Sequence, residues 1–216
     1  MSMQIGSLSP CYQRSSCAEV LSAIFARDTN LCVWQRALPD NLQNYVSILQ
    51  SQTQYLNLTR QVSAQSVTTL LSPCLPEAEG KAAFIEDIRL LTEMLICLFD
   101  CQYAGLRLRL LDGAMCPRFH TDKLICRMLC SYNTLGTQWL GNAAIDRSKL
   151  GHGSGGLDDA HSGLYSDTTA VCNATAGDVL LLKGEAWPDN EGGGVVHRSP
   201  AVPDGTKRLL LTLDPM

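Results

Sequence analysis

No block of like charge, no long apolar run and no C-x-x-C cysteine pair occurs in this sequence of 216 residues. Seventeen Lys and Arg against 21 Asp and Glu leave a net charge of -4, with both signs spread along the chain. Holding a phosphate backbone takes a basic stripe, so nucleic-acid binding is not expected. The most apolar stretch, Ile88 to Phe99, contains Glu93 and is too short to span a bilayer. The first 30 residues lack a basic start followed by an apolar run. These absences predict a soluble, cytoplasmic chain with no membrane partner. Ten cysteines are present, yet none stand as C-x-x-C, which excludes a zinc ribbon and a thioredoxin-type redox motif. Without a secretion signal a disulfide framework is not expected either, and Cys126 and Cys130, set in an apolar run, read as small buried hydrophobes.

The first hundred residues read mainly as helix. Ser16 and Glu19 have capping-box spacing ahead of Val20, Leu21, Ile24 and Phe25. Asp40 after Pro39 is placed to cap a second helix carrying Leu42, Tyr45, Val46 and Leu49 on one face. A third helix is predicted from about Lys81 to Cys101, its stripe of Ile85, Ile88, Leu91, Leu95 and Leu98 facing a sheet. At Gly105 the period changes to two: Leu106, Leu108 and Leu110 alternate with Arg107 and Arg109, the mark of a strand. A turn at Asp112-Gly113, an apolar run from Phe119 to Tyr132, a Gly-, Ser- and Asp-rich loop over 141–166 and strands near 170–174, 178–183 and 207–213 follow. Helices first and short strands after them predict an α+β chain. Residues 1–104 form its helical region and 105–216 a sandwich or jelly-roll core. The helical layer is expected either to cover a sheet or to make a homodimer interface.

Four histidines are present. His120 and Asp122 stand two apart, a spacing that on a strand turns both side chains to one face, where they can share an ion. A metal that activates dioxygen needs protein ligands on one side and open positions on the other, as two histidines and one carboxylate provide. His152 and His161 lie in the Gly-rich loop, whereas His197 follows Val195-Val196 and is held by a strand, so His197 is the expected third ligand. Arg208, 11 residues further on, opens the run Arg-Leu-Leu-Leu-Thr-Leu, and a guanidinium there is placed to clasp a carboxylate bidentately.

The order His120-x-Asp122, His197, Arg208 resembles the Fe(II)- and 2-oxoglutarate-dependent oxygenases. Gly177 to Gly184 ahead of His197 is similar to the phytanoyl-CoA hydroxylase branch, and the strand, glycine turn and H-x-D from Leu106 to Asp122 resemble prolyl hydroxylases. The blocks P-R-F-H-x-D at Pro117, G-T-x-W-L at Gly136, L-L-K-G-E-x-W-P at Leu181 and V-H-R-S-P at Val196 also resemble an uncharacterised bacterial domain family. The resemblance covers roughly residues 105–214 and implies a double-stranded β-helix (jelly roll, cupin-like) packed with the N-terminal helices. It further implies iron held by His120, Asp122 and His197, 2-oxoglutarate paired with Arg208, and a small-molecule or peptide substrate of unknown identity.

Tyr132, Thr137 and Ser199 are further candidates to hydrogen-bond the cosubstrate, although a tyrosine is as often a packed core residue. Arg198 and Ser199 beside the distal histidine are candidates to orient it. Lys123 and Arg127 differ in parity from His120 and Asp122, so on a regular strand they point away from the metal. Trp139 and Trp187 read as core before they read as pocket lining. The run Gly151 to Gly156 is neither G-x-S-x-G nor a phosphate loop. Two competing functions share the ligands: zinc-assisted hydrolysis, and a non-catalytic metal-binding or sensing barrel in which Arg208 pairs with a structural carboxylate.

Overall fold

Strand alternation decides which side of the main sheet each residue faces, and with it the division between packing and chemistry. The computed structural model describes residues 12–133 and 136–216. Residues 1–11, part of the stretch expected to carry no leader, lie outside them. In chain order the elements are β1 (Tyr12–Ser15), a 3₁₀ helix (Ala18–Phe25), β2 (Leu31–Trp34), α1 (Asp40–Gln52), β3 (Asn57–Val62), α2 (Val67–Leu71) and α3 (Lys81–Phe99). There follow β4 (Ala104–Leu111), β5 (Cys126–Ser131), β6 (Gln138–Leu140), β7 (Val171–Asn173), β8 (Val179–Lys183), β9 (His197–Arg198) and β10 (Arg208–Pro215).

Seven strands form one sheet in the order β1-β2-β8-β5-β10-β4-β3, and three form a smaller sheet, β7-β6-β9. All pairings are antiparallel except β1 with β2. An isolated bridge between His120 and His197 adds a fourth backbone segment beside β9. From β4 onward the chain therefore runs large sheet, small sheet at His120, large at β5, small at β6 and β7, large at β8, small at β9 and large at β10.

One face of the large sheet buries Leu106, Leu108, Leu110, Cys126, Met128, Cys130, Val179, Leu181, Leu209 and Leu211 against the helices. On the helical side Leu42, Tyr45, Val46 and Leu49 of α1 and Phe84, Ile85, Ile88, Leu91 and Leu95 of α3 meet that face. Gly80, at φ +87, lets α3 begin hard against α1, because a Cβ there would stand 2.2 Å from the Asn41 carbonyl oxygen. On the opposite face Leu129, Leu180, Leu182 and Leu210 pack with Leu31, Val33 and Trp139, so a second core lies between the two sheets. Arg127, Ser131, Arg208 and Thr212 share the parity of those inter-sheet residues.

The helical reading of the first hundred residues is corrected by three strands. β2 pairs with β8 and β3 with β4, so the large sheet runs across residues 104 and 105 without a break. The expected capping box is also absent: the 3₁₀ helix begins at Ala18 with no side-chain cap, and Asp40 is the first residue of α1 and caps nothing. The apolar run from Phe119 to Tyr132 is a strand only over Cys126–Ser131. Among the described residues no helix is long and apolar enough to cross a membrane.

Candidate metal centre

His120 and His197 are direct cross-strand partners. Each backbone N–H donates to the other's carbonyl oxygen at 3.0 Å, which sets both imidazoles on one face with ring centroids 4.6 Å apart. Asp122, two residues along, joins them: its carboxylate oxygens stand 3.9 Å from His120 Nε2 and 3.7 Å from His197 Nε2. Ligand atoms of the three residues lie within 4.8 Å of one another, so an ion at ~2.0–2.2 Å from each needs only a small inward movement. Each ring donates its Nδ1–H to a backbone carbonyl, His120 to Arg118 at 2.9 Å and His197 to Val195 at 3.0 Å. Those bonds fix the tautomer that leaves both Nε2 lone pairs facing the shared point. The backbone before β9 and the turn after β8 also meet here. A Cβ on Gly184 would stand 2.0 Å from the Leu124 oxygen and 2.8 Å from that of Asp122, so only glycine lets the turn close on the Asp122 segment.

Burial, the largest influence on the His197 ring, lowers its pKa to about 4 from an ordinary 6.5. The ring is neutral at pH 7, the form that binds a metal. Ligand-free protein should therefore lose stability as pH falls. Above 6.5 neither state protonates this ring, between the two values only the unfolded chain does, and below about 4 both do, so about 3 kcal/mol drains away across that window. Urea midpoints of chelated protein from pH 8 to 4 check this, and His197→Asn should flatten the profile.

Arg208 is 1% exposed. Its Nε donates to Ser131 Oγ at 2.7 Å, Nη2 to Thr137 Oγ1 at 3.1 Å and Nη1 to Ser199 Oγ at a long 3.4 Å. Among the described residues no carboxylate pairs with it, and burial pulls its pKa down to about 10. Ser199 follows His197 by two residues, about 7 Å of chain, which places this cation beside the His-Asp-His set.

Thr137 and Ser199 thus lie against Arg208. Tyr132 does not, and its expected part in cosubstrate binding is corrected. It shares the parity of Cys130 and lies on the helix side, its O–H donating to Asp87 Oδ2 at 2.8 Å, where Arg36 Nη2 donates as well at 2.9 Å. Tyr132→Phe should leave any ligand titration of the metal centre unchanged and cost about 1 kcal/mol of stability, read by denaturant unfolding. Ser131 takes the place on the Arg208 side that the sequence reading had offered to Tyr132; a serine in an apolar strand with the parity of Arg127 is the signal that marks it.

Arg127 is a second correction. Parity counted from His120 turns it away, but residues 121–125 bend instead of continuing a strand, and Arg127 Nη1 donates to Asp122 Oδ2 at 2.9 Å. Burial would lower the Arg127 pKa, yet its bonds to Asp214 and Asp122 outweigh that and raise it. Asp159, unmarked by any motif, is buried at 5% exposure in the 141–166 loop. It accepts from Phe119 N–H at 2.9 Å, Arg118 Nε at 2.9 Å and Arg198 Nη1 at 3.0 Å, and so ties the loop to the neighbours of both histidines. Arg198 donates to Gln138 Oε1 at 2.8 Å, and the His197 ring is oriented by the Val195 carbonyl instead, which corrects the expectation that Arg198 or Ser199 orients it. Trp139 is core at 1% exposure, and Trp187 packs with Phe25 and Phe99 on the helix side.

A family model described as a protein of unknown function, DUF1826, matches residues 15–214. The chain belongs to this family. Among curated proteins no sequence matches the DUF1826 chain. Solved structures similar to it include a prolyl-4-hydroxylase from Pseudomonas putida, at 11% identity and TM-score 0.46, with 91% of this chain and 96% of that one covered. Another is the dioxygenase for auxin oxidation 1 from Arabidopsis thaliana, in complex with 2-oxoglutarate, at 10% identity and TM-score 0.45, covering 92% and 76%. A third is a full-length Neurospora crassa protein in complex with alpha-KG, at 13% identity and TM-score 0.47, covering 91% and 78%. At such identities and scores the likeness transfers no residue role to the DUF1826 chain.

Proposed function

We propose that this DUF1826 protein is a non-haem Fe(II)- and 2-oxoglutarate-dependent oxygenase, built on a double-stranded β-helix. The β-helix reading is supported by the alternation of the chain between sheets from β4 onward, which yields the orders β8-β5-β10-β4 and β7-β6-β9-His120. The single observation that carries the function is Arg208, a buried guanidinium that meets three hydroxyls and, among the described residues, no carboxylate, beside a His-Asp-His set. A buried cation of this kind is stabilised by an anion bound bidentately. A metal-storing or sensing barrel would close Arg208 in a structural ion pair, and a hydrolase would have no use for it.

When bound, iron with 2-oxoglutarate supplies the oxidising chemistry. The chain does the rest. His120 and His197 present their Nε2 atoms and Asp122 a carboxylate oxygen on one side, leaving the other side for small molecules. Arg208 fixes the distal carboxylate of the cosubstrate, with Ser131, Thr137 and Ser199 holding the fork in place. Arg127 keeps Asp122 oriented by donating to one of its oxygens. The buried side chains of Leu210, Leu129 and Trp139 exclude water from the space between the sheets.

Anaerobic addition of Fe(II) and 2-oxoglutarate to metal-free protein should give the weak visible charge-transfer absorption of such a chelate, and His197→Ala should abolish it. Absence of that absorption, together with tight zinc binding indifferent to Arg208, would overturn the oxygenase reading.

A further inference from the structure

A second cationic site adjoins the metal ligands. Arg107, Arg109, Arg127, Met115, Leu210 and Thr212 line a cavity of about 120 Å³, and Arg127 links it to Asp122. Three guanidinium groups share this space. Arg107 and Arg127 both pair with Asp214, while Arg109 donates to Asn57 Oδ1 and the Met115 sulfur, neither of them charged. If Asp122 is committed to a metal, Asp214 is, among the described residues, the one carboxylate left to answer three positive charges. The Thr212 hydroxyl is buried at 6% exposure and has no hydrogen-bond partner among the described residues. Leu210 and Met115 add an apolar wall, and Met115 is 42% exposed, so the cavity reaches solvent.

This site is distinct from that of Arg208. Thr212 lies four residues further along the same face of β10, about 13 Å away, too far for one carboxylate to satisfy both. In register Thr212 faces Arg107 on β4, whereas Arg208 faces Leu111. We infer that this cavity binds the carboxylate end of a small organic anion, the primary substrate, between Arg109, Arg107 and Thr212, with its carbon chain against Leu210 and Met115. The planar fork of arginine suits a carboxylate, the apolar wall suits a carbon chain over an inorganic ion, and a cavity of about 120 Å³ suits a small group. That the ligand is a substrate rests on the oxygenase reading, whereas the anion site itself does not.

The test is calorimetric titration of Zn(II)-loaded full-length protein with butyrate, with and without saturating 2-oxoglutarate, and with inorganic sulfate in parallel. Butyrate should bind at roughly millimolar strength, be weakened at least about tenfold by Arg109→Gln and by the near-isosteric Thr212→Val, and be untouched by Arg208→Met or 2-oxoglutarate. Arg109→Lys, which keeps the charge, should retain part of the binding. Three results would overturn the proposal: no saturable binding, binding lost with Arg208→Met and indifferent to Arg109→Gln, or sulfate binding as well as butyrate with the same residue dependence. Should Fe(II) and 2-oxoglutarate give no chelate absorption while butyrate still requires Arg109, the oxygenase reading fails and the anion site stands.

Discussion

Arg208→Met should weaken 2-oxoglutarate binding by about a hundredfold or more while making the ligand-free protein more stable. The two effects have one cause. Arg208 is 1% exposed and its partners are three neutral hydroxyls, so the folded chain carries a desolvated charge without a counter-ion among the described residues. Removing one member of a buried, hydrogen-bonded charge pair costs about 2–5 kcal/mol of affinity. Methionine follows the aliphatic stem of arginine and needs no partner, and exchanging a buried charge for an apolar side chain is commonly neutral or stabilising. Chelate absorption titrated with 2-oxoglutarate reads the first effect and thermal unfolding in the absence of ligand reads the second. Unchanged affinity with lowered stability would make Arg208 a structural residue and remove the observation on which the function rests.

Asp159→Asn should lower metal affinity about 10- to 100-fold and lower the unfolding midpoint as well. Asp159 touches no metal ligand. It accepts bonds from Phe119, Arg118 and Arg198, each next to or near a histidine ligand, and Arg198 lies over the Phe119 ring at 4.3 Å. Neutralising it removes the charge that draws the His120 and His197 segments together, and changes of this kind around a metal site typically have that size. Hydrogen bonds to a charged acceptor contribute about 1.5–3 kcal/mol each, so the stability loss should be measurable. Asp158→Asn is the control: its carboxylate meets only the exposed His161 and neighbouring backbone N–H groups of its own loop, and both affinity and stability should stay put. Competition with a chelating dye measures the affinity. A normal value for Asp159→Asn would show that the cross-strand pairing of the histidines suffices to hold the site.

Period-two alternation made β4 legible, and helical stripes made α1 and α3 legible, because burial selects apolar residues at those periods. β2 escaped because Leu31 to Trp34 is four consecutive apolar or aromatic residues, a length at which strand and helix patterns coincide. β3 escaped for the opposite reason: at the sheet edge, five of its six residues are exposed or half-exposed, so no apolar pattern is selected. Parity counted from His120 misplaces Arg127 because it runs through residues where the chain is not extended. A bend at 121–125 resets the count, and nothing in the local sequence announces it.

Local chemistry by itself determined which residue types are candidate ligands, the H-x-D spacing that puts two of them on one face, and an arginine at the head of an apolar strand. Tertiary structure decided the rest. It made His120 and His197, far apart in the chain, cross-strand partners. It supplied Arg208 with hydroxyls from three different segments and turned Asp159 inward to bind both histidine segments. Side-chain direction along a strand follows from a repeat of two residues, which a sequence displays. Which strands become neighbours follows from the packing of the whole sheet, and only the folded chain displays that.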